Sequence, residues 1–257
     1  MYKKAALLFS VVIAFTTLTV SNSFAQVKKP VTKSVTKNKI AVKKPAAAKP
    51  TVTKPMIAAV TIDNAIRIKI TTDSGIMIVK LYDSTPLHRD NFVKLVKQGF
   101  YDSLLFHRII PGFMIQGGDP LSKNAIAGDI LGNGGSDMER IPAEFKPGLF
   151  HKKGVLAAAR DGNPQKASSA CQFYIVEGNM LNEAQLNGIE QNKGIKYSPA
   201  QKTIYKTLGG TPFLDMDYTV FGEVESGIEV IHKIANAQRD SRDRPMGDIR
   251  MYIEMVK

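Results

Sequence analysis

Cysteine is all but missing: Cys171 is the only one in 257 residues, so no intrachain disulfide can staple the fold. Its flanks, Ser169-Ala170 and Gln172-Phe173, supply no basic neighbour, so the thiol reads as buried and inert, with a reactive thiol as the alternative. Tryptophan does not occur at all. Acid is missing from residues 1–55, which hold eleven lysines, whereas residues 56–257 set 24 Lys and Arg against 23 Asp and Glu. The net charge of +12 therefore belongs to the amino-terminal tail, and no nucleic-acid partner is expected for the folded part. The four histidines, His88, His107, His151 and His232, lack metal-ligand spacing. There is no Gly-x-Ser-x-Gly elbow, Walker loop or dinucleotide fingerprint, and Gly132-Asn133-Gly134-Gly135 reads as a plain loop. Neither a metal nor a cofactor is expected.

Apolar runs long enough to span a bilayer are also lacking. The longest, Ala5 to Val20, follows Lys3-Lys4 and precedes Ser23-Phe24-Ala25, which together read as a secretory signal cleaved near Ala25. The mature protein is then expected in the periplasm or cell envelope. Residues 26–62 form a Lys/Pro-rich linker, with nine lysines and four prolines in its first thirty residues. That composition favours a solvated, disordered chain. It reads as a spacer, or else as a tail making weak electrostatic contact with an acidic surface.

The domain reads as 63–257. Ala65 to Thr71 and Ile76 to Tyr82 alternate in polarity around Asp73-Ser74-Gly75, a hairpin. Thr85-Pro86 predicts a capped helix that Gly99 stops. Strands are expected at 106–109, 113–116, 154–159, 172–176, 218–224 and 250–256, and a helix at 227–235. Residues 177–210 differ: Asn182 and Ser198-Pro199 each open a short helix, the second with Ile204 and Leu208 on one face. Many short strands and few helices point to a closed antiparallel barrel.

The stretch Phe106 to Asp119 puts one guanidinium, Arg108, among large apolar side chains and an amide. Strict alternation places Phe106 with Arg108, Phe113 with Ile115, and Met114 with Gln116. An arginine so placed is either paired with an acid or kept for a ligand; residue types alone leave both open. His107 reads as a hydrogen-bonded structural residue.

Phe106 to Asp119 resembles the signature of cyclophilin-type peptidyl-prolyl cis–trans isomerases. The resemblance continues in order through Pro142-x-Glu144-Phe145, Gly154-Val155-Leu156-Ala157-x-Ala159, Ser169-x-x-Gln172-Phe173-x-Ile175, Phe213-Leu214-Asp215 and Val220-Phe221-Gly222-x-Val224. It implies a mainly β fold, a closed eight-stranded antiparallel barrel capped by two helices, here with a helical insertion over about 177–210. It implies rotation of X–Pro bonds in proline-containing polypeptide clients, as an aid to their folding, by a monomer. By motif, Arg108 is the essential guanidinium, while Phe113, Met114, Tyr174 and Leu214 line the proline pocket. Gln116, Gln172 and the backbone around Ala159 and Arg160 hold the peptide; Phe213 and Tyr218 fill two further pocket positions. The best-known eukaryotic members have Trp, His and Phe where this chain has Phe213, Tyr218 and Tyr174. Without the indole N–H, weak cyclosporin binding is expected. Rival readings are a Pro-binding module without turnover, and a structural envelope protein whose Lys/Pro tail is the working part.

Overall fold

The computed structural model describes residues 65–256; the expected signal segment 1–25 and the expected linker 26–62 lie outside the described residues. Strand β1 (Arg67–Thr72) turns back into β2 (Gly75–Leu81), and helix α1 (Pro86–Lys97) leads to β3 (Leu104–Ile110) and β4 (Met114–Gly117). A long loop containing a 3-10 turn at Pro120–Asn124 precedes β5 (Val155–Ala158) and β6 (Phe173–Val176). The insertion carries α2 (Glu183–Lys193) and α3 (Pro199–Thr207); a 3-10 turn at Pro212–Leu214, then β7 (Val220–Ser226), α4 (Ile228–Ala235) and β8 (Arg250–Met255) complete the chain. All eight strands close in the order β1-β2-β7-β5-β6-β4-β3-β8, every pair antiparallel. Closure leaves no strand edge exposed.

The barrel interior takes every second residue of the hairpin, Ile68, Ile70, Met77, Val79 and Leu81. Phe92, Leu95 and Val96 of α1 and Ile231 and Ile234 of α4 join the same core. Phe92 packs on Tyr101, Phe173 and Phe221 with ring centroids 4.9–5.5 Å apart, an aromatic centre that anchors α1 to the barrel. Among the described residues no helix is long and apolar enough to cross a membrane.

Three local expectations change. Thr85 precedes α1, but its hydroxyl does not cap it. The Glu144 carboxylate, 57 residues on, accepts instead from the N–H groups of Leu87 (3.1 Å) and His88 (3.0 Å), putting negative charge at the helix start. In α3 the buried side chain is Tyr205, while Leu208 is 42% exposed. The third change lies in β3. Phe106 pairs with Gly117 and Arg108 with Gln116, so two steps on β3 face one on β4, a bulge at His107. Phe106 and Ile109 therefore point into the barrel, and Arg108 points out. Phe113 precedes β4 in the turn and lies on the outer face with Met114, while Ile115 lies in the core.

The insertion has a small core of its own, Leu186, Tyr197 and Tyr205, backed by Phe150 and Ile189. Both of its helices begin with reciprocal capping boxes, Asn182 with Gln185 and Ser198 with Gln201.

Candidate active site

Strands β3, β4, β5 and β6 present one outward face, and the segment 212–218 borders it. Arg108, Phe113, Met114, Gln116, Ala159, Arg160, Tyr174, Leu214 and Tyr218 surround a cavity of about 190 Å³ there. Of the eleven residues expected at the site, nine share this cavity. The other two stand beside it. Phe213 packs on Phe113 with ring centroids 5.6 Å apart, and Gln172 accepts a 3.1 Å hydrogen bond from Gln116.

The bulge at His107 is what aims Arg108. Its guanidinium donates no hydrogen bond among the described residues, and the nearest acid, Asp243, stands 3.7 Å from Nε. With 43% of the side chain exposed, the pairing is loose and the donors remain available at the cavity mouth. Both earlier alternatives thus hold in part: an acid is near, and it does not occupy the fork.

The amides on the peptide-holding side are oriented by a ladder of bonds. Gln172 Nε2 donates to the carbonyls of Gly132 and Gly134, both at 2.9 Å, and its Oε1 accepts from Gln116 Nε2. Gln116 Oε1 is left to accept from a ligand N–H. The loop 132–135 is therefore a brace for this ladder. Gly118, with φ 90°, lies where a Cβ would strike the Cys171 carbonyl, which accounts for the Gly-Gly that ends β4.

Of the two backbone positions expected to hold peptide, Ala159 is already engaged. Its N–H donates to Gln172 (2.9 Å) and its carbonyl accepts from Ser169 (2.8 Å). Arg160 has no backbone partner among the described residues, so its N–H and carbonyl form the open edge. Its side chain is fixed sideways: Nε donates to the Asp217 carbonyl (2.8 Å), and the guanidinium lies 4.7 Å from the Tyr218 ring centroid. An adjoining cavity of about 280 Å³, lined by Gly134, Met138, Arg140, Asp161 and Gln172, extends the groove. The Arg140–Asp161 ion pair at its rim is a feature that no local pattern announced.

Tyr174 forms the cavity floor with its ring. Its hydroxyl turns away and meets His151 Nε2 at 2.9 Å, and burial holds its pKa well above the ordinary tyrosine value. His151 was not among the expected site residues. The signal for it was the phenol itself, since a buried Tyr hydroxyl requires a partner.

His107 is buried, and neither ring nitrogen has a hydrogen-bond partner among the described residues, contrary to the hydrogen-bonded role expected of it. Burial is the main cause that lowers its pKa to about 4, Arg108 and Arg244 adding to it, so the ring is neutral near pH 7 and a poor base. The Cys171 thiol is buried, and burial raises its pKa, as suits an inert residue. Among the described residues no group of three His, Cys, Asp or Glu is placed to hold a metal ion.

A family profile for "cyclophilin type peptidyl-prolyl cis-trans isomerase/CLD" matches residues 67–254. A Staphylococcus haemolyticus protein provisionally named a peptidyl-prolyl cis-trans isomerase is 35% identical over 188 residues, 73% of this chain and 89% of its own. A Staphylococcus saprophyticus protein of the same name is 35% identical over 196 residues, 76% of this chain and 93% of its own. A Cryptosporidium parvum cyclophilin type peptidyl-prolyl cis-trans isomerase has a similar fold, with TM-score 0.57 and 24% identity over 75% of this chain and 98% of its own. That parasite protein also has a structure obtained in the presence of the dipeptide Ala-Pro, with TM-score 0.54, 23% identity and coverage of 74% of this chain and 99% of its own.

Proposed function

This chain belongs to the cyclophilin-type peptidyl-prolyl cis–trans isomerases, and we propose that it isomerises X–Pro bonds of exported polypeptides by electrostatic stabilisation of the twisted amide. The observation that carries the mechanism is an arginine fork without a hydrogen bond among the described residues, at the mouth of a cavity of about 190 Å³ that Phe113, Met114, Tyr174 and Leu214 line on one side.

Amide resonance opposes rotation by about 18–20 kcal/mol. Twisting the bond destroys that resonance and leaves a pyramidal, more basic nitrogen beside a ketone-like carbonyl. Phe113, Met114, Tyr174 and Leu214 grip the proline ring and exclude water from it. Gln116 Oε1 and the backbone edge of Arg160 hold the chain on the other side of the bond. Rotation then occurs between a held ring and a held chain. The Arg108 fork donates to the prolyl nitrogen as resonance is lost, an interaction that strengthens only toward the transition state. No group gains or loses a proton, so the neutrality of His107 costs the reaction nothing.

Export follows from the amino-terminal signal pattern, with release near Ala25 into the periplasm or cell envelope. There the domain acts as a monomer on proline-containing clients, and the Lys/Pro linker spaces it from a surface or contacts an acidic one. Fractionation of cells that express the full chain tests this: a mature domain left in the cytosol would sink the export reading. A protease-coupled assay on an Ala–Pro peptide tests the mechanism; turnover that survives Arg108→Ala would remove Arg108 from it.

A further inference from the structure

We propose that the inserted helical lobe is coupled to the proline pocket through Asp215, and that the Asp215–His151–Tyr174 hydrogen-bond chain makes Asp215 a positioning residue of the isomerase. The inference rests on the isomerase reading above and concerns what sets the pocket floor.

Asp215 is buried and receives four donors. Oδ1 accepts from the backbone N–H and from Nδ1 of His151, both at 2.7 Å. Oδ2 accepts from the hydroxyls of Tyr197 (2.8 Å) and Tyr205 (2.5 Å), which belong to the lobe. Four donors fill the lone-pair positions of one carboxylate. An imidazole that gives its one N–H, on Nδ1, to Asp215 has Nε2 free to accept from the Tyr174 hydroxyl, 2.9 Å away. Tyr174 is further held parallel to His151, with centroids 6.0 Å and planes 14° apart, and edge-on to Tyr218 at 81°. Its ring, with no donor of its own, is what the cavity presents to a substrate.

The lobe could instead be an appendage that merely folds beside the barrel. Its bonding argues otherwise. Two of its three buried core side chains are tyrosines, and both send their hydroxyls out of the lobe to the same carboxylate. Burial, first, and then Asp215 raise the pKa of both phenols, so they remain donors across the working pH range. Lys193, in the last turn of α2, donates to the Phe213 carbonyl (3.0 Å) and pairs with Asp217, so the lobe also grips the pocket's bordering segment.

The test is a mutant cycle that reads KM and kcat separately on an X–Pro peptide. Tyr205→Phe removes one lobe donor from Asp215 and touches no cavity residue. It is expected to raise KM three- to fivefold and leave kcat within twofold. In a Tyr174→Phe background, where the chain is cut at its last link, Tyr205→Phe is expected to change KM less than twofold. An unchanged KM in the first background, or the same KM ratio in both, overturns the proposal. Should Tyr205→Phe fail to fold, judged by circular dichroism, Tyr197→Phe serves in the same cycle with the same criteria. Loss of turnover in Arg108→Ala supports the isomerase reading independently of the cycle. Without wild-type turnover, the cycle is read as Kd for the same proline peptide by NMR, with the same ratios deciding.

Discussion

On the β3–β4 wall of the cavity Arg108 donates no hydrogen bond among the described residues, whereas on the 212–218 wall both acids are fully engaged. Asp215 accepts four hydrogen bonds, and Asp217 pairs with Lys166 and Lys193. The histidines follow suit. His107, behind Arg108, has no partner for either nitrogen among the described residues, while His151, behind Tyr174, has one for each. The difference tracks the scaffold. The first wall is strand, held by ladder bonds, so its functional side chain is left with donors to spare. The second is a 3-10 turn and a loop, with Met216 at φ 61°, and side chains must supply the order that backbone pairing does not.

The sharpest way to break this contrast is to remove one acid from each wall. Asp215→Ala leaves the buried His151 ring and the Tyr205 phenol without an acceptor, Tyr197 keeping only the Pro212 carbonyl at 3.1 Å, and should cost about 3–5 kcal/mol of unfolding free energy. Asp243→Asn, opposite Arg108, weakens two partly exposed pairs, the loose one with Arg108 and a 3.2 Å one with Arg239, and should cost under about 1 kcal/mol. Urea titration compares the two; equal costs would refute the contrast. Activity should reverse the ranking of the walls. Arg108→Ala should lower kcat/KM on the order of 100-fold, about 2.7 kcal/mol, with little change in stability. Arg108→Lys should recover only part of that, because an ammonium lacks the planar fork.

Next in size is a pH effect led by the partnerless histidine. His107 has a folded pKa of about 4 against 6.5 unfolded. Above pH 6.5 both states are neutral there, and its contribution is fully present. As pH falls from 6.5 toward 4 only the unfolded chain takes up the proton, so stability is lost, by about 2.5 kcal/mol between pH 7 and 4.5. His88, whose pKa burial also lowers, adds a loss of the same sign. Urea midpoints of wild type and His107→Leu at the two pH values isolate the His107 share. An equal pH drop in both proteins would show that the folded chain leaves the His107 pKa at its unfolded value.

The same contrast marks what could be read from residue order. The β3–β4 wall was legible because its chemistry sits in one stretch, Phe106 to Asp119, and its neighbours follow in compact motifs. Alternation alone still misplaced Phe106 beside Arg108, since a bulge inserts one residue that a period of two cannot register. The hairpin, the barrel class and both insertion helices were readable from polarity and caps. Not readable were contacts made across sequence distance. Glu144 caps α1 from 57 residues away, and His151 reaches Asp215 across 64. Tyr205 turns inward, rather than Ile204 or Leu208, because an acceptor waits for its hydroxyl.

Lys193 sharpens the comparison at its weakest point. Its ammonium donates to the Phe213 carbonyl and pairs with Asp217, so it holds the loop wall from the lobe side. Lys193→Met keeps the apolar stem and deletes only the charge. The pair is partly exposed, and Lys166 remains on Asp217, so stability should fall by less than about 1 kcal/mol. If loop order serves binding, KM should still rise about twofold, with kcat unchanged, because Arg108 and the strand wall are untouched. The peptide assay run alongside urea titration separates the outcomes. A stability loss with unmoved KM would make the brace structural only, and would confine the lobe's influence to the floor beneath Tyr174.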